Sequence, residues 1–253
     1  EVRVAVIGAG PCGLSAARFL GEAGYRVTLF EAHPYAGGMV SGTIPSYRTP
    51  DDTIAADLER VTALGVEIRY GQVAGRDFFL DHLLGVNFDY VIYGAGAQAG
   101  ATLGIEGESA GGVVEGLTFL RETRHGLPVS LGERVVVIGG GDVAMDCART
   151  ALRLGAGEGE VRVVYRRTRD QTPGQKEEVD DFHDEGGVLD ELLSPLSFEV
   201  EDGRMVGLRA ERMKLGDRGA DGRRRPVGTG ETVRLLADTV LLAIGQQPDL
   251  SFF

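Results

Sequence analysis

One stretch near the N-terminus decides the fold: Val4-Ala5-Val6-Ile7-Gly8-Ala9-Gly10-Pro11-Cys12-Gly13-Leu14-Ser15-Ala16-Ala17-Arg18. It consists of an apolar run, a turn with the pattern G-x-G-x-x-G, and a segment with helical spacing. A second β-branched run follows at Arg26–Phe30. A strand, a glycine turn, a helix and a second strand in this order predict the opening βαβ unit of a parallel sheet.

The same pattern recurs 131 residues further along the chain. The second copy is Val135-Val136-Val137-Ile138-Gly139-Gly140-Gly141-Asp142-Val143-Ala144-Met145-Asp146-Cys147-Ala148-Arg149, and a β-branched run follows it at Val161–Tyr165. An internal repeat of this kind predicts an α/β protein with two nucleotide sites.

The first loop has the residue types that a dinucleotide site needs. Gly8 would make the tight turn, Gly10 would let the backbone approach a pyrophosphate, and Gly13 would allow close helix packing. Ala9, Pro11 and Cys12 complete the loop, and the helix N-terminus offers free N–H groups to the phosphate. Glu31 lies 23 residues after Gly8, near the spacing of about 20 at which an acid meets a ribose hydroxyl. The alternative is a glycine turn without a ligand.

The second loop ends in a different charge. It consists of Gly139, Gly140, Gly141, Asp142 and Val143, with Ala144 in place of the third glycine. The position that matches Glu31 is Arg166, and Arg167 and Arg169 follow it. A carboxylate repels a ribose 2′-phosphate, whereas guanidinium groups bind it. We therefore expect FAD or NAD in the first site and NADP in the second, unless the arginines are only a solvated run.

Composition limits the other possibilities. The chain has 253 residues, with 38 acids against 26 bases and a net charge of −12, which opposes binding to nucleic acid or to an anionic membrane. The longest uncharged stretches are too short for a membrane-spanning helix, and no signal peptide is recognisable. The two cysteines, Cys12 and Cys147, lie far apart without a C-x-x-C motif, so we expect no metal or iron–sulfur centre in this chain, packing roles for both thiols, and a cytoplasmic setting.

Further motifs carry a resemblance to a known family. They are Gly8–Gly13 with Glu31, Gly37-Gly38-Met39, Ile44-Pro45-Ser46-Tyr47-Arg48-Thr49-Pro50, Gly139–Asp146, Tyr165-Arg166-Arg167, Gly222-Arg223-Arg224-Arg225-Pro226-Val227 and Ala243-Ile244-Gly245-Gln246-Gln247-Pro248-Asp249. Over nearly its whole length, the chain resembles the FAD- and NADPH-binding module of the glutamate synthase small subunit, which dihydropyrimidine dehydrogenase and a selenate reductase iron–sulfur subunit share. The resemblance implies that Glu31 holds the FAD ribose, that Gly38, Met39 and Arg48 line the FAD site, and that Ala243, Ile244 and Gly245 approach NADPH.

Two departures from the family modify this expectation. In the family, the iron–sulfur cysteines lie before the first glycine loop, and this chain begins at that loop. The family also closes its FAD domain with a later Gly-Asp strand, which has no counterpart here. We therefore expect the 253 residues to hold FAD weakly and to lose it on purification, while NADPH binding survives.

Together these inferences predict two Rossmann-like domains, the second inserted in the first. Residues 1–114, with a C-terminal stub at 246–253, would bind FAD, and residues 115–245 would bind NADPH. The expected enzyme is an oxidoreductase that takes a hydride from NADPH onto FAD and passes electrons to iron–sulfur centres of a missing segment or partner. No catalytic triad or carboxylate pair is recognisable, so the cofactors would supply the chemistry. The alternatives are a stand-alone NADPH-dependent flavin reductase and a non-catalytic nucleotide-binding fragment.

Local patterns predict several further elements. Asp51–Leu64 has helical spacing with Asp51 and Asp52 as caps, and Glu177–Glu185 is predicted as a helix with a solvated acidic face. Strands are predicted at Val66–Tyr70, Asp89–Tyr93, Glu199–Met213 with a break at Gly203, and Thr232–Ile244 with a polar dip at Ala237-Asp238. The tract Gly216–Gly230 is predicted to be an exposed hairpin loop.

Overall fold

The computed structural model describes residues 2–85, 87–156, 161–220, 222–248 and 250. The chain divides into two compact units. The first consists of Glu1–Ala99 and Gln246–Phe253, and the second is the continuous segment Gly100–Gly245. The second unit is thus inserted in the first, as expected. The division falls at residue 99 and not at the expected 114, because the segment that follows Gly100 contributes strand Val113–Glu115 to the sheet of the second unit.

The first unit is built on a four-stranded parallel sheet in the order β3-β2-β1-β4. Its strands are β1 (Arg3–Ile7), β2 (Arg26–Phe30), β3 (Glu67–Arg69) and β4 (Tyr90–Tyr93). Its helices are α1 (Pro11–Glu22), α2 (Met39–Gly42), α3 (Asp51–Thr62) and α4 (Leu80–Leu83).

Both faces of the first sheet are covered. Val4 and Val6 of β1 point to a core that includes Ala17 of α1 and Val61 of α3. On the other face, Ala5, Ile7 and Phe30 pack against Phe78, Leu83 and Phe88. Burial on both faces explains why β1 is continuously apolar instead of alternating.

The second unit contains a five-stranded parallel sheet in the order β6-β13-β7-β8-β9 and a three-stranded antiparallel sheet in the order β10-β11-β12. Its strands are β6 (Val113–Glu115), β7 (Val135–Ile138), β8 (Val161–Tyr165), β9 (Val188–Glu191), β10 (Leu193–Glu201), β11 (Arg204–Arg218), β12 (Arg224–Leu236) and β13 (Thr239–Leu242). Its helices are α5 (Gly116–Arg124), α6 (Asp142–Arg153) and α7 (Lys176–Asp184), with a 3-10 turn at Arg169–Gln171. Two-residue strands, β5 (Ala99–Gly100) and β14 (Gln246–Gln247), pair where the chain passes between the units.

The parallel sheet of the second unit lies between two different layers. Val135 and Val137 of β7 pack with α5, α6 and α7, where Phe119, Met145 and Phe182 are fully buried. Val136 and Ile138 face the antiparallel sheet, which contributes apolar side chains to a second core: Phe198, Met205, Leu208 and Ala210. The antiparallel sheet therefore replaces a second layer of helices.

Most predicted elements are present, but the start of α3 and the tract Gly216–Gly230 differ from the prediction. Helix α3 begins at Asp51 with Pro50 as its N-cap, so Asp51 and Asp52 lie in the first turn and not at the cap. The break predicted at Gly203 is present, because Asp202 and Gly203 both adopt positive φ and turn the chain into a hairpin between β10 and β11. The predicted loop Gly216–Gly230 is mostly strand, because β11 and β12 remain paired as far as Arg218 and Arg224.

Candidate functional site: two glycine loops

The first glycine loop joins β1 to α1. Gly8 has φ +96°, and a Cβ there would lie 2.6 Å from the carbonyl oxygen of Gly94. A Cβ on Gly13 would lie 1.8 Å from the carbonyl oxygen of Gly8. The packing of the loop therefore requires both glycines, whether or not a ligand binds.

Gly10 is under no such constraint. It has φ −77°, and a Cβ there would meet nothing closer than the Cα of Gly38, at 3.8 Å. In the described helix that follows, no side chain caps the N-terminus and the first turn has no acid. The open space at Gly10 and the free N–H groups of α1 fit the phosphates of a dinucleotide.

The Glu31 carboxylate closes this loop onto the end of β2. Its exposed fraction is only 5%. Its Oε2 accepts the N–H of Ala9 and its Oε1 accepts the N–H of His33, each at 2.8 Å. Burial, and then the negative charge of Glu31, raise the pKa of Tyr70. Each carboxylate oxygen can accept more than one hydrogen bond, so Glu31 retains capacity for a ribose hydroxyl.

The other residues predicted for the first site lie on the segment after β2. The N–H of Gly37 donates to the carbonyl of Ala9 at 2.7 Å, which brings Gly38 and Met39 to the glycine loop. A Cβ on Gly38 would lie 2.8 Å from the Cα of Gly10. Arg48 is half-buried in the turn after α2, where its N–H donates to the carbonyl of Pro45.

The two cysteines differ. Cys12, next to Pro11 in the first turn of α1, is exposed, so the predicted packing role is wrong for this thiol. Cys147 is buried in α6, as predicted, with its Sγ 3.6 Å from the carbonyl oxygen of Gly116. Burial, and then the charge of Asp146, raise the pKa of the Cys147 thiol.

The second glycine loop joins β7 to α6. As in the first loop, packing requires some of its glycines and leaves room for a side chain at another. Gly139 has φ +144°, and a Cβ there would lie 2.2 Å from the carbonyl oxygen of Ala243. A Cβ on Gly140 would lie 2.5 Å from the ring of Tyr165. Gly141, the counterpart of Gly10, has φ −92°, and the nearest atom to a Cβ would be the Cγ of Pro173, at 3.9 Å. In both loops, only this glycine has room for a side chain.

Neighbouring segments fix the second loop. Asp142 Oδ1 accepts the N–H of Gln175 at 2.9 Å, and the N–H of Gly174 donates to the carbonyl of Gly140 at 3.2 Å. Val143 packs on the helical core. Asp142 therefore ties the start of α7 to the loop.

The three residues that follow β13 lie in different surroundings. The N–H of Ala243 donates to the carbonyl of Ile138 at 2.8 Å, which sets Ala243 against Gly139. Ile244 packs on the core below the antiparallel sheet, and Gly245 is exposed with φ +132°. Of the three predicted residues, Ala243 is the one that closes on the loop.

The three arginines after β8 lie in different environments. Arg166 is exposed. Arg167 has an exposed fraction of 7%, and its Nε donates to the carbonyl of Arg224 at 2.9 Å. Arg169 forms an ion pair with Asp180 of α7. The described part of the chain offers neither Arg166 nor Arg167 a carboxylate partner.

The first unit also contains a pocket away from the glycine loop. Its volume is about 420 Å³, and Phe30, Phe78 and Phe88 lie beneath a rim that includes Arg3 and Arg26. Those two arginines stand at or near the start of β1 and β2, whereas the glycine loop follows the end of β1. None of the predicted cofactor residues lines this pocket.

Among the residues that the structure describes, no group of His, Cys, Asp and Glu side chains could hold a metal ion. Within the same residues, no helix has the length and apolar character needed to cross a membrane. Several acidic side chains of α7 and its C-cap are paired with arginines: Glu178, Asp181 and Glu185 pair with Arg149. The prediction of a merely solvated acidic face was therefore incomplete.

Two parallel sheets, each with a glycine loop that joins a strand to the helix after it, define the class of two-domain dinucleotide-binding proteins. The chain belongs to the pyridine nucleotide-disulphide oxidoreductase family, whose model matches residues 2–253. This membership confirms the oxidoreductase class that the sequence predicted.

Relatives of known name share the whole chain. It is 46% identical over 254 residues to the NADP(+)-dependent formate dehydrogenase subunit beta of Moorella thermoacetica, covering 99% of this chain and 36% of the relative. It is 41% identical over 257 residues to the NADPH-Fe(3+) oxidoreductase subunit beta of Geobacter sulfurreducens. The match covers 99% of this chain and 38% of that relative. With the glutamate synthase [NADPH] small chain of Escherichia coli, identity is 37%, covering 97% and 54%. The chain thus spans about a third to half of the length of these relatives, and the similarity to the glutamate synthase small chain confirms the predicted resemblance.

Solved structures share the fold. Mycobacterium tuberculosis FprA in complex with NADPH superposes with a TM-score of 0.87 at 22% identity, covering 99% of this chain and 72% of that protein. Lactococcus lactis thioredoxin reductase gives 0.72 at 21% identity, covering 100% and 80%. Both support the predicted α/β architecture with two dinucleotide-binding domains.

Proposed function

We propose that this chain is the FAD- and NADPH-binding part of an oxidoreductase that takes a hydride from NADPH and passes electrons to iron–sulfur centres in a partner or in another part of a longer protein. One observation carries the proposal. In each loop the second glycine of the G-x-G pattern, Gly10 or Gly141, has room for a side chain that the fold does not forbid. A ligand that approaches the backbone there would explain both glycines.

The first unit supplies the FAD site in this proposal. Gly10 and the N-terminus of α1 would hold the pyrophosphate, Glu31 the ribose, and the segment with Gly38, Met39 and Arg48 would border the site. When bound, FAD accepts a hydride and releases electrons one at a time. Hydride transfer between the two cofactors requires no acid or base from the protein. The protein would therefore contribute by positioning the nucleotides and excluding water.

The second unit supplies the NADPH site. Gly141 and the N-terminus of α6 would hold the pyrophosphate, and Arg166 and Arg167 the 2′-phosphate. Ala243, Ile244 and Gly245 would border the nucleotide. The proposal is supported by three relatives whose names specify NADP or NADPH, two of them as beta subunits of larger enzymes. The cysteines are both free, which fits a reducing cytoplasm.

The test is the nucleotide preference of the double variant Arg166→Ala, Arg167→Ala. Two charge-assisted hydrogen bonds at about 1.5–3 kcal/mol each would favour NADPH over NADH by up to ~10²–10⁴ in the wild type. The double variant should lose this preference and keep its affinity for NADH. The control is Arg209→Ala, which removes an exposed arginine from β11. Equal wild-type affinities for NADPH and NADH would contradict the assignment.

A further inference from the structure

We propose that the hairpin β11–β12 sets nucleotide selectivity by holding Arg167 in place for the 2′-phosphate. Gln171 and Arg224 are then positioning residues that act through Arg167. We name the three residues Arg167, Gln171 and Arg224 the arginine latch. This inference rests on the proposed NADPH site.

The latch uses both main-chain polar groups of Arg224. Its carbonyl accepts the Nε–H of Arg167 at 2.9 Å, and its N–H donates to Oε1 of Gln171 at 3.0 Å. Gln171 is itself held by Tyr165, whose hydroxyl donates to the Gln171 carbonyl at 2.8 Å. Tyr165 is the ring that packs on Gly140. The latch is thus connected by direct contacts to the glycine loop.

The Arg224 side chain fixes the start of β12 on the hairpin. Its Nε donates to the carbonyl of Gly216 at 2.8 Å and its Nη2 to that of Leu215 at 3.0 Å. The guanidinium of Arg224 thus binds to β11 within the hairpin. The main-chain N–H and carbonyl of Arg224 bind to Gln171 and Arg167. Removing the side chain would release the end of the strand that Arg167 depends on.

The main chain of Arg167 is held from the same side. Its carbonyl accepts the N–H of Leu192 at 3.1 Å, and the Leu192 carbonyl accepts the N–H of Met213, in β11, at 2.7 Å. Leu192 has φ +57°, a conformation that non-glycine residues rarely adopt. The hairpin therefore restrains both the backbone and the side chain of Arg167.

The charge of Arg167 indicates what the latch is for. The residue as a whole is more than nine-tenths buried, and its Nε bonds to a neutral carbonyl. Buried charges are normally paired, because desolvation is otherwise costly. Since the described residues offer no carboxylate to Arg167, an anionic ligand is the partner that fits, and the loop at its side is the predicted NADPH loop.

The experiment measures the binding of 2′,5′-ADP (adenosine 2′,5′-bisphosphate) and of 5′-AMP to the full chain by calorimetry, because the two probes differ only in the 2′-phosphate. The variants are Gln171→Leu and Arg224→Ala, and the control is Arg209→Ala. Misplacing one charge-assisted contact should weaken 2′,5′-ADP by about 5- to 20-fold. Binding of 5′-AMP should change by less than about twofold, because the contacts of the 5′-phosphate with the glycine loop remain. The control should leave both affinities unchanged.

The outcomes separate this inference from the proposed function. If the wild type binds both probes equally, the NADPH site itself is wrong. If the wild type prefers 2′,5′-ADP and both latch variants keep the full preference, the latch inference is overturned. If the latch variants lose affinity for both probes to the same extent, the latch inference is also overturned, because these residues would then have a general structural role. Gln171→Leu leaves the hairpin bonds of Arg224 intact, so it tests the latch even if Arg224→Ala unfolds.

Discussion

Gly10 and Gly13 lie three positions apart in the first loop, yet the structure places different demands on them. A Cβ at position 13 would collide with the backbone of Gly8, whereas one at position 10 would make only an ordinary contact. Gly13 is therefore a folding requirement, and Gly10 is a requirement of the proposed ligand. The two substitutions to alanine separate folding from binding.

We expect Gly10→Ala to fold with a free energy of unfolding within about 1 kcal/mol of the wild type, because its φ is ordinary. Its affinity for FAD should fall at least about tenfold, since the added methyl group occupies the approach to the pyrophosphate. Gly13→Ala should lose about 2 kcal/mol or more of stability through overpacking. Urea unfolding and titration with FAD measure the two effects. Unchanged FAD binding in Gly10→Ala would contradict the proposed site.

The sequence predicted residue types at the sites better than it predicted their surroundings. The spacing of Glu31 predicts a ribose ligand, but it does not predict a carboxylate that accepts the N–H groups of Ala9 and His33. From the sequence, the run from Arg166 to Arg169 indicated positive charge but not which of its arginines is buried. Burial of Arg167 depends on Arg224, which lies 57 positions away, and no local pattern contains that contact.

At the scale of elements, α6 and α7 are joined by a cluster of ion pairs. Arg149 is nearly buried and contacts Glu178, Asp181 and Glu185, and Arg153 also pairs with Glu185. Hydrogen bonds from Arg153 first, and from Arg149, lower the pKa of Glu185 from 4.5 to about 2, against the opposing effect of burial. The cluster therefore contributes stability that depends on an ionised Glu185.

The sign of the pH dependence follows from this lowered pKa. Because Glu185 binds its proton more weakly in the folded state, its contribution is present above about pH 4.5 and is lost as the pH falls towards about 2. We expect Glu185→Gln to lower the free energy of unfolding by about 1–2 kcal/mol at pH 7, after allowance for solvent screening. The difference from the wild type should shrink by pH 3, as urea unfolding at both pH values can measure. Asp184→Asn, an exposed neighbour in α7, is the control, and a constant difference across this range would refute the assignment.

Strands with apolar runs were predicted from sequence, whereas the continuation of β11 and β12 into the tract Gly216–Gly230 was not. Strands β1, β2 and β8 follow from apolar runs, because both faces of their sheets are buried. The β11–β12 tip is exposed, so its strands show no apolar alternation, and glycines and arginines there resemble a loop. Pairs such as Leu215 with Pro226 hold it together by backbone register, which composition does not reveal.

At the scale of the whole molecule, each unit has its own cores. The two clusters of the first unit draw on residues between Val4 and Tyr93, and those of the second on residues between Leu103 and Ile244. The second unit is also continuous in sequence, whereas the first is formed from two segments. Independent folding is therefore a reasonable expectation for the second unit.

We expect residues 100–245, expressed alone, to unfold cooperatively in urea and to prefer 2′,5′-ADP to 5′-AMP, because both sheets, the glycine loop and the arginine latch lie within this segment. The preference should match that of the full chain within about threefold, a difference of less than about 0.7 kcal/mol. Arg166→Ala with Arg167→Ala in the same segment is the control, and it should bind both probes equally. A segment that folds but shows no preference would place part of the 2′-phosphate site outside the second unit. A segment that does not fold would show that its two cores depend on the first unit for their stability.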